Sequence, residues 1–95
     1  MKVLIIGTLE EVDLFLQSEK WIRDHGDVPI NPVKVLQALP IEMTNSDFAV
    51  ILLELVRISD GVLVLPGWNN NLLATITKTN AERAEKEVIE WKPQK

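Results

Sequence analysis

The 95-residue sequence contains no cysteine and only one histidine, His25. Without cysteine there is no disulfide framework, no thiolate nucleophile and no cysteine-ligated metal. A single histidine also makes a histidine-based zinc site implausible. Gly7 is not part of a G-x-G-x-x-G pattern, so a dinucleotide cofactor is not indicated. We therefore expect neither a metal nor a cofactor.

Basic charge and long apolar runs are also scarce. Ten lysine and arginine residues stand against fourteen acids, which are scattered along the chain and give a net charge of −4. A nucleic-acid backbone or an anionic membrane would need a basic face, so neither is expected as a partner. The N-terminal run "VLII" is far shorter than the roughly 20 residues of a membrane span, and no cleavage pattern follows it. We expect a cytoplasmic protein.

The residues that are present indicate one globular domain over residues 1–95. Hydrophobic residues make up 46% and charged residues 25% of the chain, an ordinary composition for such a domain. Four extended segments, "VLIIG", "DVPINP", "VLVLP" and "EVIEW", predict strands near residues 2–6, 28–31, 62–65 and 87–91. The last residues, "KPQK", are expected to be loose.

Helical patterns fill the segments between these strands. Thr8 with Glu11 resembles a capping box, and an apolar stripe follows it to a stop at Gly26. Thr44 with Asp47 resembles a second capping box, and a weak, proline-bounded helical turn is expected before it, within residues 33–43. A third long helix is predicted over about 71–86, capped by one of three consecutive asparagines. The predicted inward-facing residues are Val12, Phe15, Leu16 and Ile22 in the first helix, Phe48, Ile51, Leu52, Leu55 and Val56 in the second, and Leu73, Ile76, Ala81 and Ala84 in the third.

Alternating strands and helices predict a small α/β domain of Rossmann-like or flavodoxin-like type. We expect three layers around a parallel sheet of about four strands in the order 2-1-3-4, with right-handed crossovers. Ligands bind such sheets beyond the carboxyl ends of the strands. The residues predicted to lie at that edge are Gly7-Thr8, Asn31-Pro32 and 66–71, whereas Asp60 is predicted at the opposite edge.

The residues at the ligand edge have two interpretations each. The amides of Asn69, Asn70 and Asn71 suit contacts with a sugar or base, but asparagine is also a common helix cap. Trp68 suits stacking on a base, or packing over the end of the sheet. Glu10 and Glu11 are the carboxylates nearest this edge, and their alternative role is to complement the positive end of a helix.

Several motifs together resemble the nucleoside 2-deoxyribosyltransferase-like superfamily, most closely its short bacterial and phage members of unknown function. They are "MKVLIIG", "INP" and "SDGVLVLPGW", in that order, with "FLQSEKWIRDHG" before the second strand. The resemblance covers most of the chain. It implies a nucleoside or nucleotide ligand and a homo-oligomer, with sites near subunit contacts. The three tryptophans and many aliphatic residues of this small domain also favour a dimer or larger assembly.

The chain departs from that superfamily at the positions of the superfamily's catalytic and neighbouring residues. The superfamily has a serine three residues after the tryptophan, then a Gly-Ala pair, then a glutamate that attacks the sugar carbon. Here these positions hold Asn71, Leu73-Ala74 and Thr77. Threonine does not supply the ionised carboxylate that covalent glycosyl transfer requires. Leucine in place of glycine is expected to narrow the pocket.

Three functional hypotheses follow. The first is a catalytically degenerate protein with a vestigial nucleoside-sized cleft and no catalytic residue. The second is an active transferase or nucleoside hydrolase that uses an unconventional carboxylate, Glu10 or Glu11. The third is a structural or interaction module whose cleft is closed by side chains. The candidate cleft residues are Gly7, Thr8, Asn31, Pro32, Gly67, Trp68, Asn69, Asn71 and Thr77.

Overall fold

A computed structural model describes residues 1–93 of the chain and confirms the predicted α/β class. Its elements are β1 (Lys2–Ile6), α1 (Val12–Asp24), β2 (Val28–Ile30), α2 (Pro32–Gln37), α3 (Asn45–Ile58), β3 (Gly61–Val64), a 3-10 turn (Trp68–Asn70), α4 (Leu72–Arg83) and β4 (Glu87–Glu90). The four strands form one parallel sheet in the order β2-β1-β3-β4, as predicted. The tail expected to be loose lies partly outside the described residues.

The central strands β1 and β3 are buried on both faces, which explains their continuous aliphatic runs. One face of the sheet contributes to a core with α1, and the other to a core with α3 and α4. The first core contains Val3, Ile5, Phe15, Ile22, Val33, Leu63, Leu65 and Trp91. The second contains Leu4, Ile6, Val56, Val62, Val64, Ala74 and Ala81. The domain therefore has the three predicted layers.

The helix starts were predicted with mixed success. The Thr44–Asp47 capping box is confirmed, since the Thr44 N–H donates to Asp47 Oδ2 at 2.8 Å and the Asp47 N–H donates to Thr44 Oγ1 at 3.3 Å. Asn71 caps α4, as one of the asparagines was expected to do. The Thr8–Glu11 capping box is wrong, because the Glu11 N–H donates to the Thr8 carbonyl in a turn and α1 begins only after Glu11.

The predicted stripes on α1 and α4 were too wide. Val12 is 38% exposed, Leu16 is 47% exposed and Ile76 is 39% exposed, although all three were expected to face inward. On α4 the sheet-facing stripe is Ala74, Thr77 and Ala81, a spacing that leaves Ile76 on the outer side. Ala84 is exposed because α4 ends at Arg83 rather than near 86. No helix within residues 1–93 is long and apolar enough to span a bilayer.

Gly7 allows the carboxyl end of β1 to approach β3 closely. A Cβ atom on Gly7 would lie 2.8 Å from Leu65 Cδ1 and 3.0 Å from Leu65 Cβ. Leu65 is fully buried, so it has little freedom to move aside. The carboxyl edge of the sheet is therefore packed too closely at this point for a side chain at position 7.

We predict that Gly7→Ala lowers the free energy of unfolding by about 1–3 kcal/mol through overpacking against Leu65. Urea denaturation followed by circular dichroism measures the change. The control is the same change in a Leu65→Ala background, where the Leu65 Cδ1 atom that would lie 2.8 Å from the new Cβ is absent, so the loss should be smaller. Equal losses in the two backgrounds would contradict the close-approach argument.

Candidate functional site

The carboxyl edge of the sheet contains a small, nearly filled cavity. It is lined by Ile5, Ile6, Gly7, Leu9, Pro32, Leu52, Leu73, Ala74 and Thr77. The space open to the centre of a water molecule is about 10 Å³, which is room for about one water. Sites for small organic ligands usually measure roughly 300–1,000 Å³. Three predicted cleft residues, Gly7, Pro32 and Thr77, therefore meet here, but around a closed space.

Three leucines from separate elements line this cavity. Leu9 comes from the β1–α1 loop, Leu52 from α3 and Leu73 from the first turn of α4. Sequence reasoning identified Leu73 as a narrowing residue but did not place Leu9 or Leu52 at the site. The position of Leu9 directly after Gly7-Thr8, at the ligand edge, was the available signal for it.

Thr77 is the one polar side chain in the lining, and it is bonded within its own helix. It is 3% exposed, and its Oγ1 donates a hydrogen bond to the Leu73 carbonyl at 2.6 Å. The neighbouring Lys78 offers no base to it, because the Lys78 ammonium lies over the Trp68 ring and 3.2 Å from Glu82 Oε1. Thr77 is thus a satisfied core residue in this arrangement.

Asn31 lies beside the cavity, and both the oxygen and the nitrogen of its side-chain amide form hydrogen bonds within the chain. It is buried and caps α2, where its Oδ1 accepts from the Val33 N–H at 3.0 Å. Its Nδ2 donates to Glu19 Oε2 at 2.9 Å, and Lys34 Nζ donates to Glu19 Oε1 at 2.7 Å. The hydrogen bond from Lys34, followed by that from Asn31, lowers the pKa of Glu19 against the opposing effect of desolvation. Asn31 therefore joins α1 to α2.

Trp68 lies at a second depression, further along the same edge. This depression measures about 120 Å³ and is lined by Val64, Leu65, Pro66, Trp68, Glu90, Trp91 and Lys92. Lys78 Nζ lies 4.5 Å from the centre of the Trp68 ring, within the range of a cation–π contact. One face of the indole is therefore occupied, and a base that stacked there would have to displace the lysine.

Asn71 borders a third depression, an open groove of about 250 Å³. The groove is lined by Leu9, Glu10, Asn45, Phe48, Asn71, Leu72 and Leu73. Asn71 Oδ1 is engaged as the α4 cap, accepting from the Ala74 N–H at 2.9 Å. Glu10 is the single carboxylate in the lining. Thr8, Gly67 and Asn69 lie outside these three depressions.

A search for metal-ligating side chains and comparisons with known proteins give no further indication of a ligand or of a family. Residues 1–93 contain no group of three or more histidine, cysteine or acidic side chains placed to hold a metal ion. Comparisons of the chain with known protein families, with curated proteins and with solved structures found no match. The superfamily resemblance thus stays a prediction from the quoted motifs.

We predict that Glu19→Gln destabilises the protein at neutral pH by about 1 kcal/mol, because Glu19 is half-buried but its Lys34 partner is 60% exposed and solvent screens the pair. Because folding lowers the pKa of Glu19 below its ordinary 4.5, its contribution is present above that value and is lost as the pH falls through the folded pKa. Urea unfolding of both proteins between pH 7 and pH 3 should therefore converge at low pH. Lys34→Gln should show the same convergence, and a pH-independent difference would contradict the assignment.

Proposed function

We propose that this chain is a catalytically degenerate relative of the nucleoside 2-deoxyribosyltransferase-like proteins, with its cleft closed by side chains. The observation that carries the proposal is the cavity of about 10 Å³ at the carboxyl edge of the sheet. In a parallel α/β sheet this is where a ligand binds. A nucleoside needs far more space, so Leu9, Leu52 and Leu73 exclude it in this arrangement.

The chemistry of the lining supports the same conclusion. Retaining glycosyl transfer needs one carboxylate against the anomeric carbon and a carboxylic acid to assist the leaving base. The cavity lining contains no carboxylate. The resemblance assigns the nucleophile position to Thr77, whose hydroxyl donates to the Leu73 carbonyl and has no adjacent base. The first and third functional hypotheses, a catalytically degenerate protein and a module with a closed cleft, are therefore compatible with each other.

One observation favours a second candidate, a nucleoside hydrolase that uses Glu10. This carboxylate borders the open groove together with the amides of Asn45 and Asn71, which suit sugar hydroxyls. The candidate is weaker because glycoside hydrolysis usually requires a pair of carboxyl groups. Glu11 does not line the groove, so Glu10 has no second acid beside it there.

We predict that incubation of the protein with deoxynucleosides releases no free base above background, as measured by liquid chromatography. The double change Leu73→Gly with Thr77→Glu restores both the space and the carboxylate, and we expect it to gain measurable base release. Each 1.36 kcal/mol of transition-state stabilisation raises the rate tenfold. Even a carboxylate in imperfect geometry should therefore raise base release to a measurable level.

Matched variants separate the two candidates. Leu73→Gly alone opens the cavity without a nucleophile, and Thr77→Glu alone adds the acid without space, so neither should release base. Thermal unfolding by circular dichroism checks that each variant is folded, since Thr77 is buried. Turnover by the unmodified protein that Glu10→Gln abolishes would overturn the degenerate assignment and support the hydrolase.

A further inference from the structure

A depression on the α1 side of the sheet is separate from the closed cavity. It measures about 300 Å³ and is lined by Gln17, Lys20, Trp21, Asp24 and Trp91. None of these residues lines the cavity at the carboxyl edge. A volume of this size is at the lower end of the range for sites that bind small organic ligands. The depression therefore has room for a ligand of about the size of an amino acid.

The order of the strands explains why this side of the sheet is open. Helix α1 packs against β1 and β2, whereas β4 lies at the far end of the sheet. Trp91, the residue after β4, packs in the core on the α1 side together with Leu63 and Leu65. An indole therefore covers the part of the sheet beyond α1, and the depression is the gap between that indole and α1.

The indole N–H of Trp91 has no hydrogen-bond partner within the chain as the structure describes it. Trp91 is 5% exposed, and among residues 1–93 its Nε1 is the one buried side-chain nitrogen or oxygen that forms no hydrogen bond. A buried donor without an acceptor is costly, and such a group needs a specific explanation. A ligand with a hydrogen-bond acceptor would supply the missing bond.

The charged groups of the lining have opposite signs. Lys20 Nζ donates to Asp24 Oδ2 at 2.8 Å, and the two side chains are 78% and 60% exposed. A ligand with a single charge would bind one member of this pair and leave the other without a partner. A ligand with both a carboxylate and an ammonium group can pair with both members at once. The lining therefore favours a zwitterion.

The two indoles favour an aromatic ring in the same ligand. Aromatic rings pack on one another with a preference beyond the area that they bury. Trp21 is half-buried, and its ring centre lies 3.9 Å from that of His25. The His25 contact holds the Trp21 ring in place, which reduces the entropy that is lost when a ligand packs against it.

We propose that this depression binds a small aromatic zwitterion, of the chemical class of an aromatic amino acid. The ligand ring packs against Trp21 and Trp91, the carboxylate pairs with Lys20, and the ammonium pairs with Asp24. The site shares no lining residue with the closed cavity, so its failure would leave the proposed function unaffected.

An NMR titration with phenylalanine tests the site. The indole N–H resonances of Trp21 and Trp91 should shift saturably, with half-saturation at about millimolar concentration for so small a ligand. The resonance of Trp68, which does not line this depression, should not shift. Phenylalaninamide lacks the carboxylate and N-acetylphenylalanine lacks the ammonium, so each should bind more weakly than phenylalanine. Alanine lacks the ring and should not bind.

Charge-removing variants identify the two ion pairs. Lys20→Gln and Asp24→Asn should each weaken phenylalanine binding roughly threefold to tenfold, the range for an exposed ion pair. Lys20→Gln should also no longer distinguish phenylalanine from phenylalaninamide. Arg23→Gln is the matched control, since Arg23 is an exposed cation on α1 outside the depression, and its binding should be unchanged. Absence of saturable shifts at Trp21 and Trp91, equal binding of phenylalanine and its two derivatives, or an equal loss in Arg23→Gln would overturn the proposal.

Discussion

The pairing of β1 with β3 is the constraint on which the rest of this structure depends. Both strands are covered by helices on both faces, so every side chain from Val3 to Ile6 and from Val62 to Leu65 must be apolar and closely packed. Their carboxyl ends meet where Gly7 approaches Leu65 without room for a Cβ. The loops that leave this edge are thereby fixed, and with them the place where a ligand would bind.

The central strands and their order were predictable because continuous aliphatic runs and alternating elements are local, repeated signals. The Thr8–Glu11 capping box was predicted wrongly because the Glu11 N–H donates to the Thr8 carbonyl, which closes a turn before α1 begins. A local motif does not show whether its first residue caps the helix or belongs to a turn that precedes the helix. Ile76 was misplaced because only the packed sheet decides which stripe of α4 turns inward. The volume of the cavity was also beyond local reasoning, since Leu9, Leu52 and Leu73 converge on it from three separate elements.

The polar groups at the ligand edge are mostly engaged in maintaining the fold. Asn31 joins α2 to Glu19, Asn71 caps α4, and Thr77 bonds to the carbonyl one turn earlier. A buried polar group left without a partner is costly. In a cleft that is closed to ligands, the polar side chains are therefore expected to form hydrogen bonds within the chain itself. The same residue types that suggest sugar recognition in the sequence therefore serve as structural contacts.

The closed cleft is the central claim, and an NMR titration tests it most directly. Backbone amide resonances of Ile6, Gly7 and Thr77, which line the cavity, are followed as deoxyadenosine or thymidine is added to millimolar concentration. If the leucines hold the cavity closed, these resonances should not shift, and any change should be confined to the open groove around Glu10 and Asn71. Saturable shifts at Ile6, Gly7 and Thr77 would show that the cleft opens to a nucleoside and would contradict the account.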